Sequence, residues 1–271
     1  MHGGAGCRKV SGRPRPELNL YNPFPPTSQA LTDPNGLLAT GGDLQPATLL
    51  RAYSQGIFPW FESDEEILWW SPDPRLILRP DQIHISRSLK KVARRSGWDL
   101  RYDAAFSDVM THCARVDRGD RGDEEPGTWI TRNMLQAYIE LHELGVAHSI
   151  EVLDGERLIG GLYGVLLDNV FFGESMFSIE PNASKIAFVA LSRLCSDHGI
   201  EIIDCQVYNP HLESLGAHLM SRQDFENHLR GAIKTPMSSI LPNPLCLLPS
   251  RSRGLDSRLG GALIHSVAKL V

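Results

Sequence analysis

The sequence predicts an α+β protein whose main sheet mixes antiparallel and parallel strands. After Gly145 the apolar period changes to two, which predicts three consecutive strands at His148 to Leu153, Leu158 to Leu166 and Val170 to Ser178. An apolar helix follows, and Glu201 to Tyr208 then forms a short, largely apolar strand. A run of strands joined to a later strand by a crossover helix is typical of the α+β class.

Short elements precede this run of strands. Asp33 to Gly36 is a turn signal, and Pro46 to Gln55 is predicted as a helix because Pro suits the first turn and Gly56 follows the end. The cations of Arg87 to Arg95 recur at helical spacing. Thr131 is placed to cap a longer helix, the last before the strands.

Turn and cap residues separate the later elements. Asp154-Gly155 and Asp168-Asn169 predict the two turns of the strand meander. Asn182 is expected to cap the helix from Ala183 to His198, and Ser221 to open a last helix.

We divide the chain into four regions. Residues 1–19 are expected to be a disordered start, 20–101 an N-terminal α/β domain, 102–236 the domain of the mixed sheet, and 237–271 a tail of unknown role.

Composition restricts the possible functions. The chain has 271 residues and a net charge of −5, which disfavours wrapping of a long DNA duplex. No segment has the length of a membrane span or the pattern of a signal peptide. Five cysteines without a C-x-x-C pair favour free thiols in a reducing compartment. We expect a cytoplasmic protein without a membrane or DNA partner, and we also expect a monomer that uses no metal or cofactor.

Polar side chains within two apolar strands are the candidates for chemistry. Asp204 and Gln206 share one face of the strand from Glu201 to Tyr208, and Glu174 lies within the third strand. Buried polar groups need hydrogen-bonding partners. The residues predict either a structural hydrogen-bond network or a site at an opening of the sheet.

A basic run and a set of tryptophans are candidates for RNA contact. The run is either a solvated helix face or a phosphate-binding surface. Trp60 and Trp129 are either core residues or aromatic side chains that stack on the bases of an RNA. The chain has no G-x-x-x-x-G-K-[ST] loop for ATP and no G-x-S-x-G nucleophile turn. The cations of the basic run are Arg87, Lys90, Lys91, Arg94 and Arg95.

Nine short stretches together resemble the leucyl/phenylalanyl-tRNA–protein transferases of bacteria. The resemblance covers roughly Phe24 to Lys234. The stretches are Pro34-Asn35-Gly36-Leu37-Leu38, Gly41-Gly42-Asp43-Leu44, Gly56-Ile57-Phe58-Pro59-Trp60-Phe61, Trp69-Trp70-Ser71-Pro72-Asp73-Pro74-Arg75, His84-Ile85-Ser86-Arg87-Ser88, Gly127-Thr128-Trp129-Ile130-Thr131, His148-Ser149-Ile150-Glu151, Gly173-Glu174-Ser175-Met176-Phe177 and Ile203-Asp204-Cys205-Gln206.

The resemblance implies a fold and an activity. The fold is a small N-terminal domain followed by a domain similar to the GNAT acetyltransferases. The activity is transfer of leucine or phenylalanine from leucyl- or phenylalanyl-tRNA to the α-amine of proteins that begin with Arg or Lys, which marks them for degradation through the N-degron pathway. Neither ATP nor a metal takes part.

The resemblance also assigns roles to residues. Asp204 and Gln206 match the catalytic pair, and Glu174 matches a supporting polar residue. Because Phe171 and Met176, and likewise Ile203 and Asp204, alternate faces in regular strands, a bulge is needed to bring each pair to one site. The remaining matches are Trp60, Trp129 and nearby Tyr53 for the terminal adenine, Leu162, Phe171, Met176 and Ile203 for the aminoacyl pocket, and the basic run for the acceptor stem.

Two other functions compete with this interpretation. An N-acetyltransferase would need a glycine-rich pyrophosphate turn, whereas the segment from Ile179 to Ser184 contains an acid and a proline but no glycine. A non-catalytic tRNA-binding protein would be expected to lose Asp204, Gln206 or Glu174, and all three are present. The sequence departs from the family pattern at the loop from Arg115 to Glu125, at Ser221 and in the tail.

Overall fold

A computed structural model of the chain describes residues 23–63, 66–115, 130–234 and 265–270. The predicted disordered start at residues 1–19, the loop from Arg115 to Glu125 beyond its first residue, and Trp129 lie outside these ranges. So does most of the tail from residue 237.

The described residues form seven α-helices. They are α1 (Pro46–Tyr53), α2 (Arg87–Arg95), α3 (Phe106–Ala114), α4 (Arg132–Glu143), α5 (Ala183–Asp197), α6 (Pro210–Glu213) and α7 (Arg222–Ala232).

Eleven strands accompany these helices in the described ranges. They are β1 (Leu37–Thr40), β2 (Phe58–Pro59), β3 (Leu68–Trp70), β4 (Arg75–Leu78), β5 (Asp99–Tyr102), β6 (Ala147–Asp154), β7 (Arg157–Leu167), β8 (Val170–Ser178), β9 (Ile202–Gln206), β10 (His218–Met220) and β11 (His265–Ser266).

The strands form a small sheet and a large one. The small sheet has the order β1-β3-β2, and the large one has the order β10-β4-β9-β8-β7-β6-β5-β11. All neighbours in the large sheet are antiparallel except β8 and β9, which are parallel and are joined through the crossover helix α5. The predicted α+β class with a mixed sheet is confirmed, as is the predicted order of strand meander, crossover helix and further strand.

Local signals explain where the helices around this sheet begin. The hydroxyl of Thr131 accepts a hydrogen bond from the backbone N–H of Met134, and that of Ser221 accepts one from Asp224. Both predicted caps are confirmed. The prediction that the Asn182 side chain caps α5 is wrong, because Asn182 is left-handed and its side chain makes no capping bond.

The large sheet packs on both of its faces. The first face carries Tyr163 and Phe172, which lie in a core with residues of α1, α3, α4 and α7. The second face carries Leu162 and Phe171, which lie in a separate core with residues of α2 and α5. Because β8 contributes to both cores, an irregularity in β8 changes which side chains the two cores receive.

Two strands of the predicted N-terminal region belong to the large sheet. β4 and β5 pair with β9 and β6, so the sheet extends across the predicted boundary between residues 101 and 102. Hydrogen bonding across a boundary does not measure independent folding, so the division into domains stays a prediction.

The end of the tail adds a strand that the sequence did not reveal. β11 pairs with β5, and the N–H of Val267 donates to the carbonyl of Trp98 at 3.0 Å. Val267 is buried in the second core together with Leu89 and Ala93 of α2. The strand covers the edge of β5, which would otherwise expose unpaired backbone groups.

Across the ranges that the structure describes, no helix combines the length and the apolar character needed to cross a membrane.

Candidate active site

The candidate site lies where β8 and β9 stop pairing. Their parallel ladder ends at Phe172 and Asp204. Directly beyond it each strand has one extra residue relative to its other neighbour, Glu174 in β8 and Cys205 in β9. Such bulges bend a strand and change the direction of its side chains. The bend separates the two strands and leaves Glu174 and Gln206 on either side of the opening.

Asp204 is held by a buried arginine that the sequence analysis did not single out. Arg75 donates from Nε and Nη2 to the two carboxylate oxygens at 2.8 and 2.7 Å. Its Nη1 donates to the carbonyl of Gly56 at 2.9 Å, and both charged side chains are buried. The guanidinium lies between the rings of Phe58 and Phe225, 4.8 and 4.9 Å from their centroids. Paired and hydrogen-bonded in this way, the two charges are compatible with burial.

Gln206 adopts a backbone conformation that Asp204 stabilises. Its φ of 64° is left-handed, which is unfavourable for a residue with a Cβ. The backbone N–H of Gln206 donates to Oδ1 of Asp204 at 2.9 Å. Nε2 of the same side chain donates to Oε1 of Glu174 at 2.8 Å. A carboxylate oxygen accepts, so this contact uses the amide N–H of Gln206 and not its carbonyl oxygen.

Two tyrosines hold Glu174 from the other side. Tyr138 of α4 donates from its hydroxyl to Oε2 of Glu174 at 2.8 Å. Tyr53, the last residue of α1, shares a hydrogen bond with the hydroxyl of Tyr138. Burial raises the pKa of both phenols well above its usual value, so both stay protonated and able to donate.

The environment of Glu174 favours its neutral form. Burial raises the pKa of Glu174 to about 7, although hydrogen bonds from Tyr53 and Tyr138 oppose the increase. The charge of Asp204 raises this pKa further, and that of Arg75 lowers it. A carboxyl group with this pKa can gain or lose a proton near neutral pH.

The residues predicted for the aminoacyl pocket lie on the second face of the sheet. Leu162, Phe171 and Ile203 are buried in its core, and Met176 packs against them partly exposed. Because Glu174 is an extra residue in β8, Phe171 and Met176 reach the same side despite their odd spacing. Ile203 and Asp204 remain on opposite faces, so the apolar set and the buried ion pair are separated by the sheet.

The structure separates the aromatic residues predicted to hold the terminal adenine. Trp60 is 39% exposed, and its ring centroid lies 5.5 Å from that of Trp70. The indole N–H of Trp70 donates to the backbone carbonyl of Trp60. Tyr53 is fully buried under Glu174. Trp129 lies outside the described residues. Trp60 is therefore partly accessible at the surface, whereas Tyr53 lies in the core beside Glu174.

The basic run forms helix α2 with one exposed face. The buried residues of the helix are Leu89 and Ala93, which face the second core. Within the described part of the chain, no ion pair joins the cations to a carboxylate. They form an exposed positive surface consisting of Arg87, Lys90, Lys91, Arg94 and Arg95.

The start of α5 differs from a pyrophosphate-binding turn. Ser178 accepts a hydrogen bond on its hydroxyl from the N–H of Ser184 at 3.2 Å. The N–H of Ala183 donates to the carbonyl of Glu180, whose side chain pairs with Arg157. These N–H groups are occupied and an acid lies beside them, which disfavours binding of an anion there.

Thiols and metal ligands contribute little to the described site. Cys205 lies in the second core, and burial raises the pKa of its thiol. Within the described ranges, no three His, Cys, Asp or Glu side chains are grouped to hold a metal ion.

Arg75 and Tyr138 are the site residues that sequence reasoning missed. Arg75 has a weak signal, since it is a cation directly before the apolar run from Leu76 to Leu78. In the sequence, Tyr138 stands among apolar residues at helical spacing, and its hydroxyl gives no separate signal. Only the packing of α4 against β8 brings that hydroxyl to Glu174.

Comparisons with known proteins identify the family of this chain. The family described as "Leucyl/phenylalanyl-tRNA protein transferase" matches residues 77–230, and the N-terminal domain of the same family matches residues 42–73. The match contains all three polar residues Glu174, Asp204 and Gln206. Fold, site and match define an aminoacyltransferase.

Individual relatives are similar over most of their length. Proteins named leucyl/phenylalanyl-tRNA–protein transferase from Xanthomonas axonopodis pv. citri and Pseudomonas putida are 51% and 50% identical to this chain. The alignments cover 79% and 80% of this chain, and 84% and 93% of the relatives. The chain belongs to the leucyl/phenylalanyl-tRNA–protein transferase family.

Among solved structures, "The structure of L-PGS from Bacillus licheniformis" is 10% identical, with a TM-score of 0.37 over 69% of this chain and 62% of that chain.

Proposed function

We propose that this transferase moves leucine or phenylalanine, and methionine less well, from aminoacyl-tRNA to the α-amine of proteins that begin with Arg or Lys. The observation that carries the proposal is the opening between β8 and β9. Nε2 of Gln206 and Oε1 of Glu174 lie 2.8 Å apart beside this opening. The apolar set of Leu162, Phe171 and Ile203 lies on the second face of the sheet. The product would enter the N-degron pathway of the cytoplasm.

Positioning accounts for most of the proposed catalysis. The aminoacyl ester is already activated, and an α-amine with an unperturbed pKa of about 7.7–8.0 is partly neutral near pH 7. Holding the two reactants in line can be worth about 7–11 kcal/mol. In this mechanism the carbonyl oxygen of Gln206 accepts a hydrogen bond from the attacking amine. Asp204 acts as a positioning residue, because it touches Gln206 and not the substrates.

The proposed RNA contacts come from two surfaces. The exposed ring of Trp60 stacks on the terminal adenine, together with Trp129. The positive face of α2 contacts the phosphates of the acceptor stem. Tyr53 is proposed to support Glu174 from below the site rather than to touch the base.

The apolar pocket predicts an order of donors. An apolar pocket prefers larger side chains because they remove more apolar surface from water, and Met176 is flexible enough to accommodate both a branched chain and a ring. One methylene is worth only about 1–3 kcal/mol in such a pocket. Valine should therefore transfer about one to two orders of magnitude more slowly than leucine. Aspartate should be nearly excluded, since it would bring an unpaired charge into the pocket.

The test is a transfer assay with a single tRNA body that carries leucine, phenylalanine, methionine, valine or aspartate. A common tRNA cancels the RNA contacts, so that rates report the side chain alone. Acceptor peptides beginning with Arg, Lys or Gly are compared in each case, and a parallel reaction contains acetyl-CoA in place of tRNA. Equal rates for leucine, valine and aspartate would contradict the pocket. Equal rates for the three peptides would contradict the acceptor rule, and acetylation would favour the alternative enzyme.

A further inference from the structure

The two carboxylates of the site differ in the groups that their oxygens contact. Both oxygens of Asp204 accept from Arg75, and Oδ1 also accepts from the N–H of Gln206. Asp204 is fully buried. To take up a proton, this carboxylate would have to give up a bidentate bond to a cation inside the core. Its contacts therefore fix Asp204 as an ionised anchor.

Glu174 lacks these constraints. Its oxygens accept from neutral donors, the amide of Gln206 and the hydroxyl of Tyr138, at 2.8 Å each. The residue lies at a bulge beside the opening of the sheet and is partly exposed. A proton placed on Glu174 would displace no cation, and an amine bound at Gln206 would come next to it.

We propose that Glu174, and not Asp204, takes up the proton that the attacking amine loses. This proposal rests on the proposed function, since it assigns a role within the same transfer. The amine nitrogen forms a bond to the aminoacyl carbonyl carbon, and the ester bond to the ribose oxygen breaks. The proton passes from nitrogen to a Glu174 oxygen, and the departing ribose oxygen then takes it, so Glu174 returns to its carboxylate form.

The surroundings of Glu174 suit this exchange at neutral pH. Burial raises its pKa to about 7, close to the pKa of the amine that it serves. The groups that face Glu174 are Tyr53 of α1, Tyr138 of α4, Gln206 and Asp204 of β9, and Arg75 of β4. The charges of Asp204 and Arg75 act on this pKa in opposite directions. The tyrosines stay protonated at neutral pH, whereas the pKa of Glu174 lies close to it.

The experiment measures single-turnover transfer from bound leucyl-tRNA to an excess of an Arg peptide between pH 5.5 and 9. A peptide with an α-aminooxy terminus, which is far less basic than an α-amine, moves the titration of the nucleophile below this range. Any loss of rate that remains toward acid pH is then caused by a group on the enzyme and not by the peptide. We expect Glu174→Gln to abolish this pH dependence and to lower the plateau about 10²–10⁴-fold. Asp204→Asn should lower the plateau and keep the acid-side rate loss.

A second variant tests the assignment without removing the carboxylate. Tyr138→Phe removes a hydrogen bond that stabilises the charged form of Glu174, so the midpoint of the acid-side rate loss should move to higher pH. Tyr102→Phe, in β5, is the matched control and should leave the midpoint unchanged. Binding of leucyl-tRNA checks that each variant folds.

The outcomes separate the two proposals. A wild-type pH profile in Glu174→Gln or an unchanged midpoint in Tyr138→Phe would overturn the role of Glu174, as would loss of the pH dependence in Asp204→Asn. In these cases transfer by the wild-type protein would still support the proposed function. Absence of transfer from leucyl-tRNA to any Arg peptide would overturn both.

Discussion

At the scale of single residues, Arg75 and Asp204 form the part of the site most sensitive to substitution. Two charges are buried, and each pairs with the other in addition to its neutral hydrogen-bonding partners. Removing one partner from such a pair typically costs about 3–5 kcal/mol, because the remaining charge stays buried without compensation. Replacing both partners with neutral groups is often far less costly.

We therefore predict that Arg75→Met lowers the free energy of unfolding by about 3–5 kcal/mol. The double variant Arg75→Met/Asp204→Asn should recover much of this loss without recovering transfer activity. Arg157→Met is the matched control, since Arg157 pairs with Glu180 while 58% exposed and should cost at most about 1 kcal/mol. Urea denaturation of the variants measures these differences. If Arg75→Met cost no more than Arg157→Met, the buried pair would not be the anchor described above.

The site residues that the sequence revealed are marked by a local pattern, whereas those that it did not reveal depend on contacts between residues far apart in the sequence. Asp204 and Gln206 stand out because polar side chains interrupt an apolar strand, which is visible within a few positions. Arg75 is 129 positions from its partner Asp204, and no local pattern connects them. The left-handed conformation of Gln206 was equally hidden, because it directly follows the bulge at Cys205, which arises where β9 pairs with β4.

At the scale of elements, periodicity predicted the strands and helices well but not their irregularities. The meander β6 to β8, its two turns and helix α5 follow from apolar spacing and turn residues. The bulges at Glu174 and Cys205 arise from pairing between strands, which a single sequence does not display. Strand β9 ends at Gln206 rather than at the predicted Tyr208, because its chain turns there.

Helix α2 carries the prediction at this scale. If its exposed cations contact phosphates, each lost contact should reduce the slope of log affinity against log salt by about 0.7–0.9. Changing Lys90, Lys91, Arg94 and Arg95 to Ala should thus weaken binding of charged tRNA mainly at low salt. The loss should be the same for leucyl- and phenylalanyl-tRNA, because the helix is proposed to contact the RNA body only.

Arg230→Ala is the control for this measurement. It removes a cation from α7, whose apolar side packs on the first face of the sheet, opposite to α2. Its salt slope should match that of the wild-type protein. A wild-type slope in the fourfold α2 variant would instead mean that this helix face is only solvated.

At the scale of the whole molecule, the basic helix α2 and the acidic residues of the site lie on opposite faces of the large sheet. The net charge is −5, yet α2 presents a basic face next to the second core that forms no ion pair with any described residue. The first face holds Glu174, and a further acid, Glu151, is buried in β6. A fold that keeps acids out of water has a stability that depends on pH.

The last prediction concerns this dependence and the buried acid Glu151. Glu151 accepts hydrogen bonds from the hydroxyl of Ser149 and the N–H of Ala104, and Asp103 lies near it. Burial raises its pKa from 4.5 to about 7, and the charge of Asp103 adds to the increase, whereas these hydrogen bonds lower it. The folded state thus favours the neutral form of Glu151 more than the unfolded chain does. The contribution of Glu151 to the free energy of unfolding is therefore fully present below pH 4.5 and is lost as the pH rises through about 7. Between these values a single such group can lower the free energy of unfolding by at most about 1.4 kcal/mol per pH unit.

Glu151→Gln should therefore flatten the decline of stability between pH 5 and 8, because glutamine stays neutral throughout and keeps an oxygen for Ser149 and Ala104. Glu156→Gln is the control, since Glu156 is 93% exposed and water solvates both of its forms. Urea unfolding at several pH values in this range gives the slope for each protein. Part of the decline should persist in Glu151→Gln, because Glu174 titrates over the same range. If Glu151→Gln declined as steeply as both the wild-type protein and Glu156→Gln, then the carboxyl of Glu151 would be ionised at little cost in the folded protein, and the pH dependence would have to come from other groups.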